Sequence, residues 1–216
     1  MSAILGTSVT GAGGGAYTID NSVRFRQATA SAYMDRTPAS AGNRQKWTLS
    51  FWVKRCQISA SGENIILSAG TGGGARDFIG FAGSTTGTVT DTFTVGFNIS
   101  GSSWSFVYTN SLYRDPSAWY HIVVAVDTTQ ATAANRVLIY VNGSAASINA
   151  SSAYPSQNAN TSINNSTGTY IGRFVSATGF LDGYLAEYYF IDGQQLTPSS
   201  FGATNASTGV WQPSAY

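Results

Sequence analysis

Two short runs of apolar residues, separated by a polar spacer, constrain the fold of this chain more than any other feature. The first run is Trp119–Asp127 and the second is 136–141, and in both the apolar residues recur at every second position. Such alternation of β-branched and aromatic residues is typical of strands that bury one face. The spacer 128–135 is too short for a crossover helix, and Asn142-Gly143 is a tight-turn signal, so we expect antiparallel neighbours at the centre of a sheet.

The rest of the chain has the same strand and turn character. With 216 residues, 24 glycines and 10% charged residues, it suits one large all-β domain, since sandwiches commonly reach this length undivided. Segment 47–55 places Leu49, Phe51 and Val53 on the core side and Trp52 on the other, where the chain's own termini or a ligand would cover the indole. Three or four further strands are predicted between glycine-rich and serine-rich turns, at 64–68, 76–82, 93–99 and 104–109.

Charge, cysteine content and hydropathy exclude several classes of protein. A formal net charge of +1 gives no long-range field toward nucleic acid, so no nucleic-acid partner is expected. The single cysteine, Cys56, excludes an intramolecular disulfide, and no apolar run approaches the length of a membrane span. The amino terminus lacks the features of a signal peptide, which predicts synthesis in the cytoplasm.

Three regions are predicted along the chain. Residues 1–16 are rich in Gly, Ala, Ser and Thr, which predicts a flexible arm, either a disordered tail or a segment that orders against a partner subunit. Residues 17–201 form the domain, and 202–216 form a tail that packs on the domain or on a partner. The long Ser/Asn/Ala segment 144–167 is the first place where we expect a contact surface, because such loops usually serve binding.

Several motifs resemble the laminin G-like, concanavalin A-like lectin/glucanase jelly rolls and occur in that family's order. Together with the matches farther downstream they extend over roughly residues 47–201, most of the chain. They read Trp-Thr-Leu-Ser-Phe-Trp-Val-Lys at 47–54, Trp-Tyr-His at 119–121, Leu-Ile-Tyr-Val-Asn-Gly at 138–143 and Thr-Tyr-Ile-Gly-Arg at 169–173. The resemblance implies an antiparallel two-sheet β-sandwich with jelly-roll topology. It also implies a first strand within 17–36 beside the last strand, and a β-bulge near Ala186-Glu187 after which Tyr188 and Phe190 face the core.

The carboxyl-terminal part is similar to a narrower group. The pattern Leu-Ala-Glu-x-x-Phe-Ile-Asp-Gly-Gln-x-Leu-Thr-Pro-Ser-x-Phe-Gly from residue 185, with Thr-Gly-Val-Trp-Gln-Pro soon after, resembles laminin G-like segments of tailed-bacteriophage virion proteins. It implies a non-enzymatic virion surface structural protein, a capsid decoration or a head or tail fibre component. Its partners would be other virion proteins and copies of itself in a homo-oligomer. The alternatives are an adhesin that binds host glycans and, less favoured, a carbohydrate-active enzyme.

The inventory of acids and histidine disfavours catalysis. Glycoside hydrolysis needs paired carboxylates, yet Glu63 and Glu187 are the two glutamates of the chain and neither has a carboxylate two or four residues away. His121 is the sole histidine and no Gly-x-Ser-x-Gly motif is present, so a serine hydrolase is not indicated. A zinc site would need more His or Cys ligands. We therefore predict no catalytic residues.

Two binding functions are compatible with the sequence, glycan binding and calcium binding. Sugar sites combine aromatic platforms with Asn, Asp and backbone hydrogen bonds, and this mixture occurs in one region of the sequence, at Asn98, Trp104, Tyr108, Asn110 and Tyr113. The alternative is that these aromatic residues belong to the core or to subunit contacts. The resemblance also implies a possible calcium site, with Asp77 and Asp91 as candidate ligands by position, although a solvated acid is the simpler interpretation of each. No other cofactor is expected.

Overall fold

The structure is a computed structural model that describes residues 17–27, 32–58, 62–83 and 88–216. Within these ranges the chain is built from short strands and turns, with 3-10 turns at Ala133–Asn135 and Pro198–Ser200. The strands in the described ranges are β1 (Val23–Phe25), β2 (Met34–Arg36), β3 (Lys46–Arg55), β4 (Asn64–Gly70), β5 (Arg76–Phe81), β6 (Thr92–Asn98), β7 (Ser105–Leu112), β8 (Trp119–Asp127), β9 (Val137–Val141), β10 (Ser144–Ala145), β11 (Thr169–Ile171), β12 (Gly183–Asp192), β13 (Gly202–Thr204) and β14 (Trp211–Pro213).

Two six-stranded antiparallel sheets form a sandwich. Sheet I has the strand order β1-β12-β3-β8-β9-β10, and sheet II has the order β2-β11-β4-β5-β6-β7. Strands β13 and β14 form a separate hairpin. The predicted fold class, an all-β sandwich, is therefore confirmed.

The central strand pair is confirmed in position and direction. Strand β8 lies between β3 and β9 in sheet I, and it pairs with β9 in antiparallel register, with Val124 opposite Ile139. Both of these side chains belong to the core. The alternation in the sequence thus identified the side of each strand that faces the core between the sheets, because successive side chains of a strand point to opposite faces. The other side of β8 is also buried, at His121, Val123 and Ala125.

The core fills the space between the two sheets. From sheet I, Leu49, Phe51 and Val53 point inward as predicted, and each is fully buried. From sheet II, Ile79 and Phe93 meet them in the same cluster. Burial of each such side chain contributes about 1.5–3 kcal/mol to stability.

The predicted bulge occurs in β12. The register between β12 and β3 shifts between Ala186 and Tyr189, and Glu187 between them has a left-handed backbone with φ 46°. The extra residue changes the facing of the strand, so that Tyr188 and Phe190 also pack against the core.

Both described termini lie on sheet I. Strand β1 pairs with β12 at the edge of the sheet, as expected for the first strand. The carboxyl-terminal hairpin reaches the outer face of sheet I, where Trp211 contacts His121. The predicted arm 1–16 lies outside the described residues. No helix among those residues is long and apolar enough to cross a membrane.

The long segment 144–167 packs largely on its own domain. Its first part runs along the free edge of β7, where the amide of Asn110 donates to the carbonyl of Ser147 at 2.8 Å. Farther on, Thr161, Ser162 and Ile163 are buried. The inner part of this segment is therefore not the contact surface that the sequence suggested, because its residues fill one end of the sandwich.

Candidate functional site

The outer face of sheet II carries an aromatic cluster next to Trp104. Directly paired residues place their side chains on the same face of a sheet, and Gly96 pairs with Phe78 on one side and with Phe106 on the other. Trp104 stacks on Phe106 with ring centroids 5.4 Å apart and meets Phe78 edge-on at 5.5 Å. Phe174, from the chain after β11, joins the cluster 5.9 Å from Phe78.

This cluster forms one side of a cleft, which we call the sheet II cleft. Its volume is about 360 Å³, within the usual range of ligand pockets. Aromatic rings, a cation, an acid and two hydroxyl groups line it together with Ile65: Phe78, Trp104, Phe106, Phe174, Arg76, Glu63, Ser176 and Thr178. Gly96 is required beneath it, because a Cβ there would lie 2.5 Å from the Phe78 ring.

Arg76 supplies the hydrogen-bond donors of the sheet II cleft. Its guanidinium lies over the Trp104 ring, 5.4 Å from the centroid, and its Nη1 donates to the carbonyl of Gly74 at 3.1 Å. Its Nε is buried without a hydrogen-bond partner among the described residues. A cation held over an indole offers both charge and donors to a ligand at the ring edge.

The five predicted glycan-binding residues do not converge on one site. Trp104 lines the sheet II cleft, and register places Asn98 and Tyr108 on the same outer face. Asn98 is 2% exposed, and its Oδ1 has no partner among the described residues. Asn110 lies at the sheet edge, where its Nδ2 donates to Ser147 Oγ at 2.8 Å.

The prediction of Tyr113 as a ligand-binding residue is wrong. Its side chain belongs to the core cluster and is 5% exposed. The ring meets Phe81 and Tyr120 edge-on, at 5.7 and 5.2 Å. Tyr108, at 8% exposure, is likewise nearly inaccessible to a ligand. For both tyrosines the alternative, that they are packing residues, is the one the structure supports.

Asp77 does not have the free oxygens of a calcium ligand. It is fully buried, and its carboxylate accepts hydrogen bonds from the backbone amides of Ser162, Ile163 and Asn98. Burial raises the pKa of Asp77 to about 6, although these three amides act in the opposite direction. The residue fastens segment 144–167 to the end of the sandwich, so the calcium assignment is corrected to a structural role.

Asp91 is also engaged by its own chain. Its two oxygens accept from Arg55 Nη2 and Arg114 Nε, each at 2.9 Å. Arg55 is fully buried, and Arg114 is half exposed. Burial lowers the pKa of Arg55, while the hydrogen bond that Arg55 donates to Asp91 acts in the opposite direction. Since both oxygens carry ion pairs, Asp91 is a structural acid, and no group of three metal-ligating side chains occurs in the described part of the chain.

His121 is a packed, hydrogen-bonded residue on the outer face of sheet I. It is 1% exposed and lies against the rings of Trp52 and Trp211, with centroids 5.0 and 5.8 Å away. Trp211 Nε1 donates to His121 Nδ1 at 2.9 Å. An indole N–H can only donate, so Nδ1 is unprotonated and the neutral imidazole carries its proton on Nε2.

The orientation of this proton argues against a serine hydrolase. His121 Nε2 lies 2.9 Å from Ser50 Oγ, a proximity that the sequence did not reveal. In a catalytic pair the serine donates to the histidine, whereas here Nε2 carries the proton and donates to the serine. Asp127 lies at the far end of β8 and binds Lys46 at 3.0 Å, so it does not orient the ring.

Glu187 is held by two tyrosine hydroxyl groups. Tyr17 donates to its Oε2 at 2.7 Å, and Tyr189 donates to the same oxygen. These bonds raise the pKa of both tyrosines. Glu187 therefore attaches the segment before β1 to sheet I, whereas Glu63 lines the sheet II cleft on the other sheet. The two glutamates are thus not a catalytic pair.

Of the residues that line the sheet II cleft, only Trp104 was predicted from the sequence as a binding residue, and Arg76 and Phe174 are among those that were missed. Arg76 alternates with Phe78 on β5 and could have been placed on the outer face by its period of two. Phe174 follows the short strand β11 in an irregular segment. No sequence signal marks where such a loop residue folds back.

Comparisons with known proteins identify the family and the fold. A family model described as the concanavalin A-like lectin/glucanases superfamily, of laminin G type, matches residues 27–200. A search of curated protein sequences returned no match. Domains LG4-5 of the mouse laminin α1 chain share 10% identity and a TM-score of 0.54, over 86% of this chain and 45% of that one.

Two further solved structures are similar in fold. Domain 4 of AbnA, a GH43 extracellular arabinanase from Geobacillus stearothermophilus solved with arabinotriose, shares 17% identity and a TM-score of 0.50, over 74% of this chain and 66% of that one. The heptameric SAP-like pentraxin from Limulus polyphemus shares 15% identity and a TM-score of 0.49, over 78% and 72%. At these identities the likeness shows the fold alone.

Proposed function

Because this chain belongs to the concanavalin A-like lectin/glucanase superfamily, we propose that it is a non-enzymatic binding module on the surface of a bacteriophage particle. In this proposal, a saccharide binds to the chain in the sheet II cleft. One observation carries the proposal: the cleft combines a partly exposed indole, a guanidinium held over that indole and two exposed hydroxyl groups. Particle surface and sugar binding are separate claims, and each has its own test.

The chemistry of the sheet II cleft suits a sugar ring. The apolar C–H face of a pyranose or furanose packs on an aromatic ring, while its hydroxyl groups need donors and acceptors at the ring edge. Trp104 provides the platform, Arg76 provides donors, and the Ser176 and Thr178 hydroxyl groups, 3.3 Å apart, provide both donors and acceptors. The arabinanase domain that shares the fold was solved with arabinotriose, so arabinan is the first polymer to test.

The binding of particle components is supported by the sequence resemblance from residue 185 to the Trp-Gln-Pro at 211–213. In the structure this part of the chain spans β12 to β14. Association of many copies would add weak contacts together, which suits a surface with few charges. The alternative, an adhesin for host glycans, uses the same cleft and differs in where the protein resides.

The saccharide claim is tested with a glycan array and an arabinan-binding assay. We expect the wild-type chain to bind at least one glycan, and Trp104→Ala to weaken that binding at least about tenfold, as hot-spot aromatic residues do. Val210→Ala, which alters an exposed side chain outside the cleft, is the matched control. Unchanged binding by Trp104→Ala would exclude the sheet II cleft as the site.

The particle claim is tested by locating the chain. An antibody raised against it should label the outer surface of purified phage particles in electron micrographs, and mass spectrometry should detect it in those particles. Absence from particles, together with presence on the host or in the medium, would refute the virion placement and leave the saccharide claim intact.

A further inference from the structure

We infer that the chain has a second saccharide-binding site, for neutral sugars, on the outer face of sheet I. It rests on the proposed function, because it assumes a sugar-binding module. The site is the cleft between sheet I and residues 17–22, which we call the sheet I cleft. It is separate from the sheet II cleft, because it lies on the opposite sheet.

Two tryptophans form the floor of the sheet I cleft. Trp52 pairs with His121, and Trp119 pairs with Lys54, so these side chains share the outer face. Trp52 is fixed in place by its stacking on His121. Trp119 is 37% exposed, so part of its ring is open to a ligand.

The walls are built from the segment before β1 and from Pro213 of β14. The bond from Tyr17 to Glu187, at 2.7 Å, holds the segment against sheet I. Glu187 itself lies in the bulge of β12, where its backbone is left-handed. The volume of this open cleft is about 460 Å³, which is larger than that of the sheet II cleft and suited to a ligand of small-molecule size.

The polar groups of the sheet I cleft are those that bind hydroxyl groups. Thr18, Asp20, Asn21 and Ser22 line it along one wall, and Thr18 Oγ1 donates to Asp20 Oδ1 at 3.2 Å. A carboxylate and an amide beside an indole floor can accept from and donate to vicinal hydroxyl groups. Within the described part of the chain its lining contains no cation, so an acidic sugar would meet repulsion from Asp20.

Two clefts on opposite faces would let one chain bind two glycan segments. A module of this kind bridges polymers, and the second binding event gains from the first because the two sites are linked. The prediction is therefore a number of sites as well as a location. Both can be measured with defined oligosaccharides in place of the natural glycan.

The test counts sites by calorimetry with four neutral trisaccharides, arabinotriose, maltotriose, mannotriose and cellotriose, with trigalacturonic acid as the acidic comparator. We expect two equivalents of the bound neutral probe per wild-type chain. Trp119→Ala should remove one equivalent, Trp104→Ala the other, and the double variant both. The acidic probe should not occupy the Trp119-dependent site.

Two additional variants separate binding from folding. Asp20→Ala lies in an exposed segment and should weaken only the Trp119-dependent equivalent, about fivefold or more. Asp35→Ala, an exposed acid on β2, should change neither. Circular dichroism and thermal unfolding check that every variant is folded, and light scattering establishes the assembly state.

The outcomes distinguish this inference from the proposed function. One equivalent in the wild type, lost in Trp104→Ala and kept in Trp119→Ala, overturns the second site and leaves the proposed function standing. One equivalent lost only in Trp119→Ala supports the sheet I cleft and overturns the sheet II cleft. A wild-type chain that binds no trisaccharide and no glycan on the array overturns both.

Discussion

The buried imidazole of His121 should make the chain lose stability as the pH falls. Its Nδ1 accepts from Trp211 and its Nε2 donates to Ser50, so a second proton would destroy the bond from the indole. Burial lowers the pKa of His121 from 6.5 to about 4. Since the side chain is 1% exposed, solvent screening does little to reduce the effect.

The direction and size of this loss of stability follow from the number of protons bound to His121 in the native and in the unfolded chain. Above pH 6.5 the imidazole is neutral in both the native and the unfolded chain. Between pH 6.5 and about pH 4, the unfolded chain binds a proton that the native chain does not, so the free energy of unfolding falls as the pH is lowered. Each pH unit accounts for about 1.4 kcal/mol, which gives about 3 kcal/mol over the interval. Below about pH 4 the contribution is level again.

Asp77 changes the free energy of unfolding in the opposite direction, over nearly the same pH interval as His121. Burial raises its pKa from 3.8 to about 6, so the native chain takes up a proton before the unfolded chain does. Its contribution to the free energy of unfolding therefore rises by about 3 kcal/mol as the pH falls through that range. The two effects nearly cancel in the wild type, and only a variant separates them.

The assay compares urea unfolding of the wild type and His121→Gln at several pH values. Asp77 is present in both proteins, so the difference in the free energy of unfolding should shrink by about 3 kcal/mol between about pH 7 and about pH 4. Because the chain has one histidine, its NMR titration is unambiguous and should have a midpoint near pH 4. A constant difference, or a midpoint near 6.5, would refute the burial and tautomer argument.

Three further substitutions test structural roles in the same unfolding assay. Arg55→Ala should lower the free energy of unfolding by about 3–5 kcal/mol, because it removes the buried partner of the Asp91 carboxylate. Arg114→Ala removes the exposed partner of the same carboxylate and should lower it by less than about 1 kcal/mol. Equal losses would contradict the structural role assigned to the buried Arg55–Asp91 pair. Asp77→Asn should lower the free energy of unfolding by about 1–3 kcal/mol, because the NH2 group of asparagine would face a backbone N–H and leave both donors unpaired. The exposed control Asp35→Asn should change it by no more than about 0.5 kcal/mol. Glu187→Gln should cost about 1 kcal/mol, with no arabinan or β-glucan hydrolysis in either protein; hydrolysis that the variant abolishes would favour the enzyme alternative.

Features repeated along the chain were predicted from the sequence. Strand faces follow from a period of two, so Val124, Ile139 and Phe51 could be assigned to the core without a structure. The bulge near Ala186-Glu187 was expected from the resemblance to laminin G-like jelly rolls, which implies that the inward residues change phase within that strand. The strand faces are therefore a local signal, whereas the bulge was predicted from a family pattern.

Contacts between distant residues were not predictable in the same way. His121 and Trp211 are 90 positions apart, and nothing in either segment indicates the other. Tyr113 was misplaced because an aromatic residue just beyond a strand has the same appearance whether it turns inward or outward. Asp77 looked like a surface acid because its partners are backbone amides, which have no signature in the sequence.

The two outer faces of the sandwich explain how a chain with few charges could act by association. On sheet I the chain covers part of its own surface with Trp211 and residues 17–22, and this cover requires Glu187 and His121 as anchors. On sheet II the rings of Trp104, Phe106 and Phe174 are partly exposed and line the sheet II cleft. A single indole with a few hydrogen bonds supports only weak saccharide binding, because ordering the ligand consumes much of the interaction energy. Two such sites on each chain, repeated over a particle, would raise the effective affinity by about 10²–10⁴ without any stronger contact.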